Sequence, residues 1–172
     1  MPGPYSAMAQ QYADLYGVPS LWVEAVIQTE SSGNPAATRY EARLSESSWG
    51  LMQLLESTAR NLGYNGPAEG LLDPQTNIDF GTKLIRQLYD RVGEDAAAMY
   101  SAYNSGSETL YKTSAQVALN TNHFLANLDA LTAQFAESPV VQTAVGSVAG
   151  GLILLLLAGA WGGKKDRKKK TK

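Results

Sequence analysis

The chain has 172 residues and 44% hydrophobic content, which suits one globular domain with an appendage. It holds no cysteine, which excludes a disulfide framework and any thiolate metal site. With one histidine and no acids at ligand spacing, neither a metal nor a cofactor is expected. The net charge of −2 hides an asymmetry: residues 164–172 carry seven basic residues and one acid, a net +6, which leaves −8 on the rest and argues against a nucleic-acid-binding body.

In chain order, "MPGPYSAM" offers neither a basic nor an apolar leader, so no secretory signal peptide is expected. Tyr5, Met8, Tyr12, Leu15 and Tyr16 recur at helical spacing until Gly17. After Pro19, Leu21, Trp22, Ala25, Val26 and Thr29 form one face of a second helix that ends at Glu30, stopped by "SSGNP". Residues 36–49 are polar and aperiodic and read as a loop. Residues 50–63 read as an amphipathic helix on Leu51, Leu54, Leu55, Ala59 and Leu62.

Asp73 before Pro74 is a strong helix start, and Ile78, Leu84, Ile85, Leu88 and Val92 supply the apolar stripe. A short helix ends at Asn104 to Gly106, and a last helical run covers about 107–137. No period-2 strand is evident, so the fold class is all-α.

Residues 139–163 read as a transmembrane helix. The 22 residues 140–161 carry no charge. At the helical rise they reach about 33 Å, against a bilayer core of about 30 Å. Trp161 stands where an interfacial aromatic belongs, and a lysine cluster follows. Gly146 and Gly150 form a G-x-x-x-G that permits close helix pairing, hence self-association.

Glu30 sits where a helix dipole is hostile to a carboxylate. Its pKa should rise, more so if Trp22 and Val26 limit hydration, and a general acid near neutral pH needs such a carboxyl. The wider pattern is more specific: "ES-x-x-NP" at Glu30 to Pro35, "GLMQ" at 50–53, "DP-x-x-N-I-x-x-G" from Asp73 to Gly81 and "AYN-x-G" at 102–106, in that order. Together they resemble the soluble lytic transglycosylase family of lysozyme-like enzymes over about residues 10–110.

The resemblance implies a lysozyme-like domain over 1–138 that cleaves the β-1,4 bond between N-acetylmuramic acid and N-acetylglucosamine in peptidoglycan. It implies that Glu30 protonates the leaving oxygen, then acts as base while the muramoyl C6 hydroxyl attacks C1 to give a 1,6-anhydro product. It makes Tyr103 the tyrosine that hydrogen-bonds the acid. Ser31, Met52, Gln53 and Asn104 become substrate-binding, with Asn104 near the site floor. A sugar's own hydroxyl as nucleophile removes the need for a second carboxylate.

The residues 36–49 are longer and more charged than that family's usual stretch. Glu41 and Glu46 there could serve a true hydrolase as second carboxylate. Gly50, Asp73, Pro74, Asn77 and Gly81 fit turns and caps better than substrate contacts, and Trp22 fits a core better than a groove. A non-catalytic peptidoglycan-binding or structural membrane protein is the alternative outside enzymes.

A basic tail after an apolar span predicts a cytoplasm-like side for residues 164–172. With no export signal seen, the expected setting is a phage virion membrane, with the tail on packaged DNA or anionic lipid. The alternative is a bacterial inner membrane with the catalytic domain in the periplasm.

Overall fold

The structure, a computed structural model, describes residues 3–138. The expected membrane span at 139–163 and the basic tail at 164–172 lie outside the described residues. Among the described residues no helix is long and apolar enough to cross a membrane.

Among the described residues, six α-helices carry the fold: α1 (Ser6–Tyr16), α2 (Ser20–Ser31), α3 (Glu56–Asn61), α4 (Pro74–Val92), α5 (Ala96–Ser105) and α6 (Ala115–Ala136). The sequence marks several of their ends. Gly17 closes α1 in the left-handed region, as expected. Asp73 caps α4: its carboxylate accepts from the Thr76 amide at 2.9 Å and the Thr76 hydroxyl at 2.7 Å, with Pro74 in the first turn. Asp95 caps α5 by accepting from the Ala98 amide at 2.9 Å.

The main core joins Trp22, Val23 and Val26 of α2, Ile78 and Ile85 of α4, Met99 and Tyr100 of α5 and Phe124 of α6. Each such side chain contributes roughly 1.5–3 kcal/mol by leaving water. α4 runs through the middle and meets α1, α2 and α5.

The class is mostly helical rather than all-α. A three-stranded antiparallel sheet, ordered β1-β2-β3, is built from β1 (Thr38–Glu41), β2 (Glu46–Trp49) and β3 (Leu54–Leu55). Thr38 pairs with Trp49 and Glu41 with Glu46. Polar residues hide this hairpin from a periodicity reading, because β1 is largely exposed. A second small core beneath it joins Ala59, Tyr64 and Leu71 with Trp49 and Phe80.

Two helix expectations change. Residues 50–53 form a turn, β3 follows, and α3 is only Glu56–Asn61. Gly50 (φ 71) and Gln53 (φ 46) adopt left-handed backbone that a helix cannot hold. The final helix starts at Ala115 rather than near 107, after a 3-10 turn at Leu110–Lys112; the Ser114 hydroxyl accepts from the Val117 amide at 3.4 Å.

Candidate active site

Glu30 is the penultimate residue of α2, which ends with Ser32 in the left-handed region at φ 53. Its inner neighbours Val26 and Ile27 are core residues, so the helix carries the acid down to the edge of the interior. Burial is the largest influence on the carboxyl and lifts its pKa from 4.5 to about 7. The Tyr100 hydrogen bond and the Arg39 charge pull it down, and the Glu41 charge pushes it up. The raised pKa expected from the sequence is present, and desolvation dominates it.

The Glu30 partner is not the expected one. The Tyr100 hydroxyl donates to Glu30 Oε1 at 2.8 Å, whereas the Tyr103 hydroxyl donates to the Met52 carbonyl at 2.7 Å. Both tyrosines stand one turn apart on α5, with rings stacked at 6.2 Å and 9°. Tyr100 is clamped from its other side by Phe124 of α6 at 4.5 Å and 1°. Burial and the nearby Glu30 push both phenols far up, so both remain protonated donors. The sequence held the signal: Tyr100 lies three residues before Tyr103, hence on the same helical face.

The other expected site residues are mostly structural in this geometry. Met52 is fully buried, so its side chain does not line a groove; only its backbone is in play. Its amide donates to Asn77 Oδ1 at 2.7 Å, and its carbonyl receives Tyr103. Gln53 is used up inside the turn. Its amide nitrogen donates to the carbonyls of Ala37 (3.0 Å) and Gly50 (2.9 Å), and its oxygen accepts from the Ser48 hydroxyl at 2.9 Å.

The Ser31 hydroxyl donates to the Leu51 carbonyl at 2.7 Å and so ties the end of α2 to the 50–53 turn. Asn104 is exposed and accepts from Asn120 of α6 at 3.1 Å, which places its side chain against α6 rather than on a site floor.

Of the motif residues expected to hold turns and caps, Gly50, Asp73, Pro74 and Asn77 do so, whereas Gly81 lies inside α4 and makes room for packing. Asn77 is fully buried; besides accepting from the Met52 amide, it donates to the carbonyls of Leu71 (2.7 Å) and Trp49 (2.8 Å). It thus fixes both ends of the "GLMQ" turn from α4. Gly50 has no room for a side chain: a Cβ there would lie 2.5 Å from the Leu71 carbonyl and the Asn77 amide nitrogen. At Gly81 a Cβ would run into the buried Met52 side chain. Trp22 is core, at 2% exposure.

The two candidate second carboxylates part company. Glu46 accepts from the Ser57 amide at 3.0 Å and its hydroxyl at 2.8 Å, capping the first turn of α3. Glu41 pairs with Arg39 at 3.2 Å on β1 and acts electrostatically on Glu30. Among the described residues no group of acids and histidines could hold a metal ion. The arrangement therefore offers one proton-exchanging carboxyl, a neutral donor that orients it and a charged pair beside it.

The transglycosylase SLT domain model matches residues 7–123, well over half of the chain. Similar curated proteins include the soluble lytic murein transglycosylase of Escherichia coli K12, 30% identical over 112 residues that make up 61% of this chain and 16% of that protein. A transglycosylase of Enterobacteria phage PRD1 is 38% identical over 92 residues, 54% of this chain and 31% of that protein. The chain thus spans less than a third of the length of these relatives.

Among solved structures, the lytic transglycosylase Slt of Pseudomonas aeruginosa aligns with TM-score 0.56 and 23% identity over 74% of this chain and 22% of that one. The 70 kDa soluble lytic transglycosylase of Escherichia coli aligns with the same score and identity over 74% of this chain and 21% of that one. At that identity these two matches speak for the fold alone. On the match over 7–123, the chain belongs to the transglycosylase SLT domain family.

Proposed function

We propose that this protein is a peptidoglycan lytic transglycosylase that cleaves the β-1,4 bond after N-acetylmuramic acid and leaves a 1,6-anhydro end. The observation that carries the reading is Glu30: one carboxyl, half-hidden at a helix end, held by a neutral phenol and poised at a pKa of about 7. Such a group donates a proton to the leaving glycosidic oxygen and then, as carboxylate, takes one from the muramoyl C6 hydroxyl. Tyr100 orients it in both states. Because the nucleophile belongs to the substrate, a single carboxylate suffices.

Hydrolysis is the second reading, favoured by Glu41 beside Glu30. Glu46 is no competitor for that role, because it caps α3. For the cellular setting, the sequence supports an anchor at 140–161 and a basic tail that meets packaged DNA or anionic lipid. The existence of a phage relative supports a virion enzyme that opens the wall during infection. A bacterial inner-membrane enzyme facing the periplasm is the alternative.

The enzyme reading is tested with the full chain in detergent on dye-labelled peptidoglycan. Wild type should release soluble dye, and Glu30→Gln should release at least about a hundredfold less while still binding the polymer. Equal binding by both proteins with no release by wild type would point to a non-catalytic wall-binding protein.

A further inference from the structure

The body of the protein is acidic, yet its substrate is a polyanion, since the peptide stems on N-acetylmuramic acid end in carboxylates. The placement of the few cations therefore matters. Arg60, Lys83, Arg86 and Arg91 are each engaged by a nearby carboxylate, and none of them is among the charges that act on Glu30. Arg39 differs. It stands on β1, and its field reaches Glu30.

Arg39 and Glu41 alternate onto one face of the strand, joined from Arg39 Nε to Glu41 Oε1 at 3.2 Å. The Nε–Oε1 approach is the contact that defines the pair. Among the described residues the two Nη groups make no hydrogen bond, and the Arg39 side chain is 75% exposed. The strand is also braced. The Gly50 amide donates to the Ala37 carbonyl at 2.8 Å, Gln53 to the same carbonyl, and the Ser48 hydroxyl to the Arg39 carbonyl at 3.3 Å. A guanidinium held by one edge on a fixed strand presents its other edge to solvent, in the geometry that accepts a carboxylate on two nitrogens.

We propose that Arg39 is a specificity residue for the peptide stem: its Nη edge receives a stem carboxylate on the muramoyl unit at the bond that Glu30 attacks, while Glu41 holds the guanidinium in place. This deepens the transglycosylase reading and rests on it. A glycan without stems gains nothing from Arg39, so the residue reads whether the wall polymer carries its peptides.

The test compares two substrates: glycan strands with their stems, and the same strands stripped by an N-acetylmuramoyl-L-alanine amidase. Full-chain wild type, Arg39→Gln and Arg39→Lys are assayed, each at its own pH optimum because Arg39 also acts on Glu30. Wild type should favour stem-bearing strands by about tenfold or more in kcat/KM, mainly through KM. Arg39→Gln should erase that preference, and Arg39→Lys should keep part of it. No preference in wild type, or an equal loss on both substrates in Arg39→Gln, would overturn the assignment while leaving the enzyme reading intact. No cleavage of either substrate by wild type would remove the enzyme reading itself, and this inference with it.

Discussion

At the scale of single residues, Glu30 makes its own thermodynamic signature. Its pKa rises from 4.5 to about 7 on folding, so between those values the folded state binds more protons than the unfolded one. Its contribution is fully favourable below pH 4.5 and is lost as the pH rises through 7. At pH 8 Glu30→Gln should be more stable than wild type by up to about 3 kcal/mol, and at pH 4 it should show no gain; thermal melts at both pH values check this. Tyr100 and Tyr103 separate by pH profile. The Tyr100 bond lowers the Glu30 pKa, so Tyr100→Phe should shift the high-pH limb of kcat/KM upward and reduce kcat by about tenfold or more. Tyr103→Phe loses the Met52 tether and should leave that limb in place. Glu30 was legible from the ordered motifs that begin with "ES-x-x-NP", with its place at a helix end before "SSGNP" in agreement. The identity of its partner was not. Tyr100 and Tyr103 share a face, and the two partners that tell them apart, Glu30 for one and the Met52 carbonyl for the other, come from segments distant in sequence.

At the scale of elements, α4 supports the 50–53 turn through Asn77. Asn77 satisfies the Met52 amide, the buried Leu71 carbonyl and the part-buried Trp49 carbonyl, and a buried group left unpaired costs about 1–3 kcal/mol. Asn77→Ala should therefore lower stability by about 3 kcal/mol or more in urea unfolding, among the larger single-site effects. Gly50→Ala combines a left-handed φ of 71 with contacts at 2.5 Å to backbone and to Asn77. It should cost about 2 kcal/mol or more and reduce kcat, because the same turn carries the Met52 carbonyl that holds Tyr103. The helices α1, α2, α4 and α5 were readable because caps and apolar spacing are written within one turn of each end. The stretch 50–63 was misread as one helix because its leucines fit a helical stripe, while Gly50 and Gln53 were already committed to the turn. The hairpin 38–49 carried no readable alternation because its exposed strand has no apolar face to bury.

At the scale of the whole molecule, two bodies of chemistry meet in one chain. One is an acidic SLT-family domain; the other is an apolar segment with a cationic tail, known from sequence. If 140–161 anchors the protein, the full chain should float with liposomes, and a chain lacking residues 139–172 should stay in the dense fractions. The central claim concerns the bond made after cleavage. It is tested most directly by digesting purified peptidoglycan with the full chain, beside Glu30→Gln, and weighing the muropeptides by mass spectrometry. The account predicts fragments lighter by one water, absent with Glu30→Gln. Fully hydrated reducing ends would contradict it, and would make Glu41 the carboxylate that activates water.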